Sequence, residues 1–248
     1  MCGRFNLRTS VAEIADIFML DFDSIHFGQI EPRYNIAPTQ PILCVVESSD
    51  PLTGARLENR DEFVEHPILP SGRRLAQFRW GLVPTWAKEL AIGNRMINAR
   101  AETAAEKPSF KSALKARRCI IPADGYYEWQ STESGKQPYE FNRSDGKPLA
   151  LAGLWERNDK LLPDGQPLYT CTILTTSANQ MMSKIHDRMP VILPREAWDR
   201  WLEPSFTDTG ELASMMVSAP EGTLCMRPVS RRLNNVRNQG ADLLKADE

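Results

Sequence analysis

The sequence contains no apolar run near the ~20 residues that a membrane-spanning helix requires. Arg4, Asn6 and Arg8 interrupt the N-terminus where a secretory signal would carry its apolar stretch. A cytoplasmic protein without membrane contacts is therefore expected. An excess of positive charge is also missing: 30 Lys and Arg stand against 32 Asp and Glu, for a formal net charge of −2. This excludes a protein that coats nucleic acid through the field of the whole molecule, and confines any such binding to a local basic surface. Clustered metal ligands are absent as well. The five cysteines, at positions 2, 44, 119, 171 and 225, form no CxxC and no close pair with any of the three histidines. The spacing of a tetrahedral zinc site is not there, and no metal is expected. In a reducing cytosol the thiols stay unpaired, and Cys44, Cys119, Cys171 and Cys225 are expected as small buried hydrophobes within strands. Repeats, low-complexity tracts and linkers long enough to separate domains are lacking too, so residues 1–248 are expected to form one domain.

What is present patterns as short elements. At 248 residues the chain can remove roughly 70–75% of its unfolded surface from water. Ser10 and Glu13 form a capping box, and Val11, Ile14, Ala15 and Phe18 follow at helical spacing, which predicts a helix over about 10–20. The proline-punctuated stretch 31–41 reads as an extended loop, and 42–47 as a buried strand. Residues 48–73 are polar and read as a long surface insertion. In 75–80, Ala76, Phe78 and Trp80 alternate onto one face of a strand. A short helix at 109–117 precedes apolar segments around 119–122 and 125–129. Strands are predicted at 138–142, 148–155, 168–175, 189–193 and 223–229, and helices at 178–184, 195–202 and 209–217. Many short strands without regular βαβ alternation predict an α+β fold, mostly antiparallel and barrel-like, flanked by short helices.

The chemistry lies at the N-terminus. Initiator methionine is usually removed before a small second residue, and removal of Met1 would make Cys2 a terminal cysteine, with a free α-amine and a thiol two carbons apart. Such a 1,2-aminothiol condenses with an aldehyde to an imine, which the thiol then closes to a five-membered thiazolidine. The amine has a reference pKa of about 7.7–8.0, so an appreciable fraction is already nucleophilic at cellular pH. Cysteine at position two also occurs by accident, so position alone does not decide.

Seven segments follow in order: Cys2-Gly-Arg-Phe5, Arg33-Tyr-Asn-Ile-Ala-Pro38, Trp80-Gly-Leu-Val-Pro84, Ile97-Asn-Ala-Arg-Ala-Glu102, Gly125-Tyr-Tyr-Glu-Trp129, Ile185-His-Asp-Arg-Met-Pro190, and Val229-Ser230 with Asn235-Val-Arg-Asn-Gln-Gly240. Together they resemble the SOS response-associated peptidase family, the abasic-site shielding proteins, over residues 2 to about 244. The resemblance implies a thiazolidine crosslink between Cys2 and ring-opened abasic sites in single-stranded DNA, and an autoprocessing peptidase character at the N-terminus. Aromatic choices and loop lengths, notably 48–73, depart from the family pattern and bear on DNA contact rather than on the reaction.

Within that frame His186, with an ordinary pKa near 6.5, suits proton transfer to a sugar oxygen; a structurally bonded histidine is the alternative. His26 and His66 lie in polar, loop-like surroundings. Glu128, between Tyr127 and Trp129, would have a raised pKa if buried and would relay a proton from the amine; pointing to water is the alternative. Asn98 is carried over by the resemblance and would orient the opened sugar or the amine. Arg4, Arg100 and Arg188 each lie two positions from a proposed catalytic residue, which in extended chain places them on the same side, as a phosphate clamp. Thr175 and Ser177 would donate to phosphates. Trp80 and Trp86 would stack on bases or wedge beside the lesion, although the core suits Trp80 nearly as well. The competing function is a cysteine peptidase with Cys2 as nucleophile, His186 as base and Asn98 or Glu128 as orienter; a noncatalytic DNA binder and a lyase side reaction of the same site are further outcomes. The expected protein is a monomer that needs no cofactor, with abasic single-stranded DNA as partner and the nucleoid as its location when bound.

Overall fold

The structure, a computed structural model, describes residues 2–20, 30–47, 72–162 and 165–247. His26, His66 and nearly all of the insertion expected at 48–73 lie outside the described residues. Twelve strands are described: β1 (Phe5–Leu7), β2 (Arg33–Ile36), β3 (Pro41–Glu47), β4 (Arg73–Trp80), β5 (Asn98–Arg100), β6 (Arg118–Ala123), β7 (Gly125–Thr132), β8 (Gly135–Arg143), β9 (Leu149–Asn158), β10 (Leu168–Ser177), β11 (Arg188–Pro190) and β12 (Leu224–Pro228). Strands β10, β4, β3, β6 and β9 pair in that order, and β9 returns to pair with β10, which closes a five-stranded barrel. A second, antiparallel sheet runs β12-β8-β7-β1-β2. Among the described residues, parallel pairing is confined to β10, which takes β4 and β5 in that sense. The α+β architecture is thus as expected.

Closure removes the edges a five-stranded sheet would otherwise expose, and it explains why β6, β9 and β10 are buried along nearly their whole length. Phe78, Trp155 and Tyr169 fill one part of the core, with ring centroids 5.5 and 5.7 Å from Phe78. Cys44, Cys119 and Cys171 are fully buried on β3, β6 and β10, with the sulfurs of Cys44 and Cys171 3.8 Å apart. Burial pushes the thiols of Cys44 and Cys119 up, so both stay protonated and inert. Cys225 departs from expectation: β12 is an edge strand and presents this thiol to solvent.

Helices are short. α1 (Val11–Phe18) begins with both halves of the capping box between Ser10 and Glu13, and ends where Met19 turns left-handed at φ 54°. α2 (Ala101–Ala104) and α3 (Lys111–Ala116) lead into β6, while α4 (Trp198–Leu202) and α5 (Thr209–Met215) follow β11. Buried Arg118 donates to the carbonyls of Leu114, Lys115, Trp201 and Glu203, so one cation caps the ends of α3 and α4 together. Two expectations fail. The stretch 31–41 contains β2, because Arg33 and Ile36 pair with Leu7 and Phe5. The helix expected at 178–184 is only the 3-10 turn Met182–Lys184, preceded by Asn179, whose side chain accepts from the Met182 amide at 3.0 Å.

Candidate functional site

The N-terminal arm runs from Cys2 through β1, wedged between β2 and β7. Alternate residues of the arm are each tied by a different element. Asn98 Nδ2 on β5 donates to the Cys2 carbonyl at 2.9 Å. Arg4 Nη1 donates to Asn35 Oδ1 at 2.7 Å and to the Leu233 carbonyl at 3.0 Å. Asn6 Nδ2 meets Tyr127 Oη and Glu140 Oε1, each at 2.9 Å. Beyond it, Asp124 accepts from the amides of Arg8 and Thr9. In extended chain every second residue faces the same way, so this row fixes both the position and the twist of the arm that ends in Cys2.

Glu128 reaches the site because β7 hydrogen-bonds to the arm next to it, through the Tyr127 amide and the Arg4 carbonyl at 2.9 Å. It is 4% exposed, and burial lifts its carboxyl to about 7. Burial, reinforced by the Glu128 charge, drives the Cys2 thiol far above the ordinary thiol range. Tyr126, from the same strand, is fully buried; burial raises its phenol, and the charges of Cys2 and Glu128 raise it further. Cys2, Glu128 and Tyr126 therefore share one poorly solvated space.

Asn98 arrives by a different route. After β4 the chain turns at Gly81 (φ +121°), where an added Cβ would lie 2.6 Å from the Gly93 carbonyl oxygen; one on Gly93 would lie 2.5 Å from that of Gly81. Only glycine at both positions permits this crossing. It lets Leu82 bond to Met96, and Trp80 Nε1 to the Ile97 carbonyl at 2.9 Å, which lays β5 along β10 with Asn98 opposite Ile173 and Arg100 opposite Thr175.

His186 follows the 3-10 turn, its amide bonded to the Met182 carbonyl at 2.9 Å. Its Nδ1 accepts from the Arg188 amide at 3.0 Å and also lies 2.8 Å from Asp187 Oδ1. The two contacts exclude each other, since the first needs a bare Nδ1 and the second a protonated one. Partial burial lowers the pKa of His186, which favours the neutral ring.

The arginines differ. Arg100 is exposed. Arg188 is held by Glu102 through two bonds of 2.6 and 2.8 Å and by the Thr175 carbonyl at 2.6 Å. Among the described residues, Arg188 Nε and Asn98 Oδ1 are buried without a hydrogen-bond partner, a donor and an acceptor at the same site. Ser177 is exposed at the end of β10, but Thr175 is fully buried and its hydroxyl turns to the Ala99 carbonyl, so it does not face a ligand surface. Trp80 is 0% exposed, edge-on to Phe5 at 5.3 Å, and a ring sealed in this way cannot stack on a base. Its core alternative is the one the structure selects. Trp86 is 54% exposed. The sequence reading missed Tyr126, Glu102, Asn35 and Trp129. Trp129 lies under the Arg4 guanidinium at 5.6 Å and donates to Asn234 Oδ1 at 2.7 Å.

The family model described as "SOS response associated peptidase (SRAP)" matches residues 1–236. The chain is similar to the abasic site processing protein YoqW of Bacillus subtilis, 39% identical over 247 residues that cover 99% of this chain and 100% of the relative. It is 32% identical to the abasic site processing protein YedK of Escherichia coli, with 99% of each covered. A crystal structure of a Bacteroides thetaiotaomicron protein shares the fold, with a TM-score of 0.81 at 23% identity and full coverage of both chains.

Proposed function

The chain belongs to the SOS response associated peptidase family, and from that premise we propose that it processes abasic sites in single-stranded DNA by forming a thiazolidine through Cys2 once Met1 is removed. Relatives named abasic site processing proteins align over the whole chain, which supports the target. The reading is carried by Glu128, 4% exposed on the strand that hydrogen-bonds to the arm through the Arg4 carbonyl, its carboxyl lifted by burial to about 7. A carboxyl so placed suits a proton relay for an amine at Cys2. A cysteine peptidase would instead need a thiolate, and the burial of Cys2 works against one.

In the proposed sequence the sugar opens to its aldehyde, with His186 passing a proton to the ring oxygen. Glu128, half ionised near neutral pH, takes a proton from the Cys2 amine, which adds to the aldehyde carbon. Water leaves as the imine forms, and the thiol adds across the C=N bond, its proton passing to nitrogen as the ring closes. Asn98, which already holds the Cys2 carbonyl, offers Oδ1 to the amine or to a sugar hydroxyl. Arg100, Arg188, Arg4 and Ser177 meet the phosphates, and Trp86 is the exposed ring available for stacking.

The test mixes protein verified by mass to lack Met1 with an oligonucleotide carrying one abasic site, followed by a denaturing gel. A heat-stable shifted band that disappears in Cys2→Ala and in protein retaining Met1 is expected. A processed protein that gives no covalent band would sink the proposal, and turnover of peptide substrates would then favour the peptidase.

A further inference from the structure

Asn35 and residues 235–240 belong to two of the seven segments that carry the family resemblance, yet nothing in the proposed reaction uses them or the adjoining Leu233 and Asn234. Asn35 sits on β2, an edge strand, and is fully buried. Its Oδ1 accepts from Arg4 Nη1 at 2.7 Å, while its Nδ2 lies 3.0 Å from the Asn235 carbonyl, 3.1 Å from that of Asn238 and 3.4 Å from that of Leu233. A donor on one side and three acceptors on the other leave a single orientation for the amide. Gln239 locks the same residue from outside. Its Oε1 accepts from the amides of Tyr34 and Asn35 at 3.1 and 3.2 Å, and its Nε2 donates to the Asn35 carbonyl at 3.0 Å, so its side chain serves as a neighbouring strand for the edge.

The consequence falls on Arg4. Both hydrogens of its Nη1 are taken, one by Asn35 and one by the Leu233 carbonyl. Its guanidinium carbon lies over the Trp129 ring, which the same segment holds through Asn234. Nε and Nη2 make no hydrogen bond among the described residues, and that edge of a guanidinium is the one that grips a phosphate with two parallel bonds. We propose that Asn35, latched by residues 233–239, is a positioning residue for Arg4: it holds Nη1 so that the Nε–Nη2 edge is presented to a phosphate of the bound strand beside Cys2. This rests on the DNA-binding part of the proposed function and adds to it a role for the C-terminal segment.

The test measures noncovalent binding to single-stranded DNA carrying a tetrahydrofuran abasic analogue, which cannot open to an aldehyde, as a function of salt. Arg4→Gln should reduce the slope of log K against log[salt] by about 0.7, the share of one single-strand phosphate. Asn35→Ala should show the same loss, and the double variant no more than either single one, because both remove one contact. Gln239→Ala, at an exposed position that a folded protein tolerates, should move the slope in the same direction by a smaller amount. Additive losses in the double variant, or an unchanged slope in Arg4→Gln or in both Asn35→Ala and Gln239→Ala, overturn the assignment. The same wild-type preparation is tested for a covalent band on a true abasic site. Its absence counts against crosslinking, whereas the cycle on the closed analogue judges Asn35 alone.

Discussion

Glu128 carries a stability cost that its chemistry requires. Its carboxyl is raised from an ordinary 4.5 to about 7, so folding favours the protonated form. The stability this represents is complete below pH 4.5 and is lost as pH rises through about 7. Glu128→Gln should therefore leave stability unchanged at pH 4, and raise it at pH 8 by on the order of 3 kcal/mol, as read by urea denaturation. The same variant should lose crosslinking at both pH values. In wild type the crosslinking rate should climb with pH through about 7, as the relay becomes ionised; a rate flat from pH 6 to 8 would remove Glu128 from that role. At this scale the sequence identified the type of residue well and its surroundings unevenly. A glutamate among aromatics read equally as a perturbed acid or as a solvated face, and only its burial decided between them. Whether Trp80 faced DNA or the core was not legible either, because both uses place a tryptophan on the apolar face of a strand.

Elements were legible where their signals are local. The capping box of α1 involves residues three apart, and both of its bonds are present. Ser10→Ala should cost about 1 kcal/mol, measured as a lowered denaturation midpoint with an unchanged slope. β2 was hidden because its strand character comes from pairing with β1, some 30 residues away, while the prolines on either side of it and its polar residues read as loop. β5 is three residues long and exists only because the crossing of Gly81 and Gly93 lays it on β10. Gly93→Ala should displace that strand. Crosslinking should fall well beyond the loss in thermal stability, since the Asn98 side chain that holds Cys2 would move with it.

For the whole molecule, a net charge of −2 means that the proposed binding of DNA would depend on a few local arginines rather than on the overall field. If Arg4, Arg100 and Arg188 each meet one phosphate, log K for a single strand should fall with log[salt] at a slope of about −2, and no more steeply than that. A slope near −6 would require a wider basic surface than the one described. The two sheets meet at the N-terminal arm, which lies in the smaller sheet and is held by Asn98 from a strand on the barrel. In the proposed crosslink, force on the DNA would therefore be transmitted into both sheets.

The sequence by itself determined most of the strands and the buried thiols of the barrel, and it supplied the residue types, Cys2, Glu128, Asn98 and His186, from which the proposed site is read. These follow from residue type and from periodicities of two to four residues, which act over short range. Only the tertiary structure decided which arginines are already engaged, that Thr175 and Trp80 face inward, and that Asn35 and Gln239 stand behind Arg4. Arg4 and Leu233 are 229 positions apart. Contacts of that span come from sheet closure and pairing, and leave no local pattern to read.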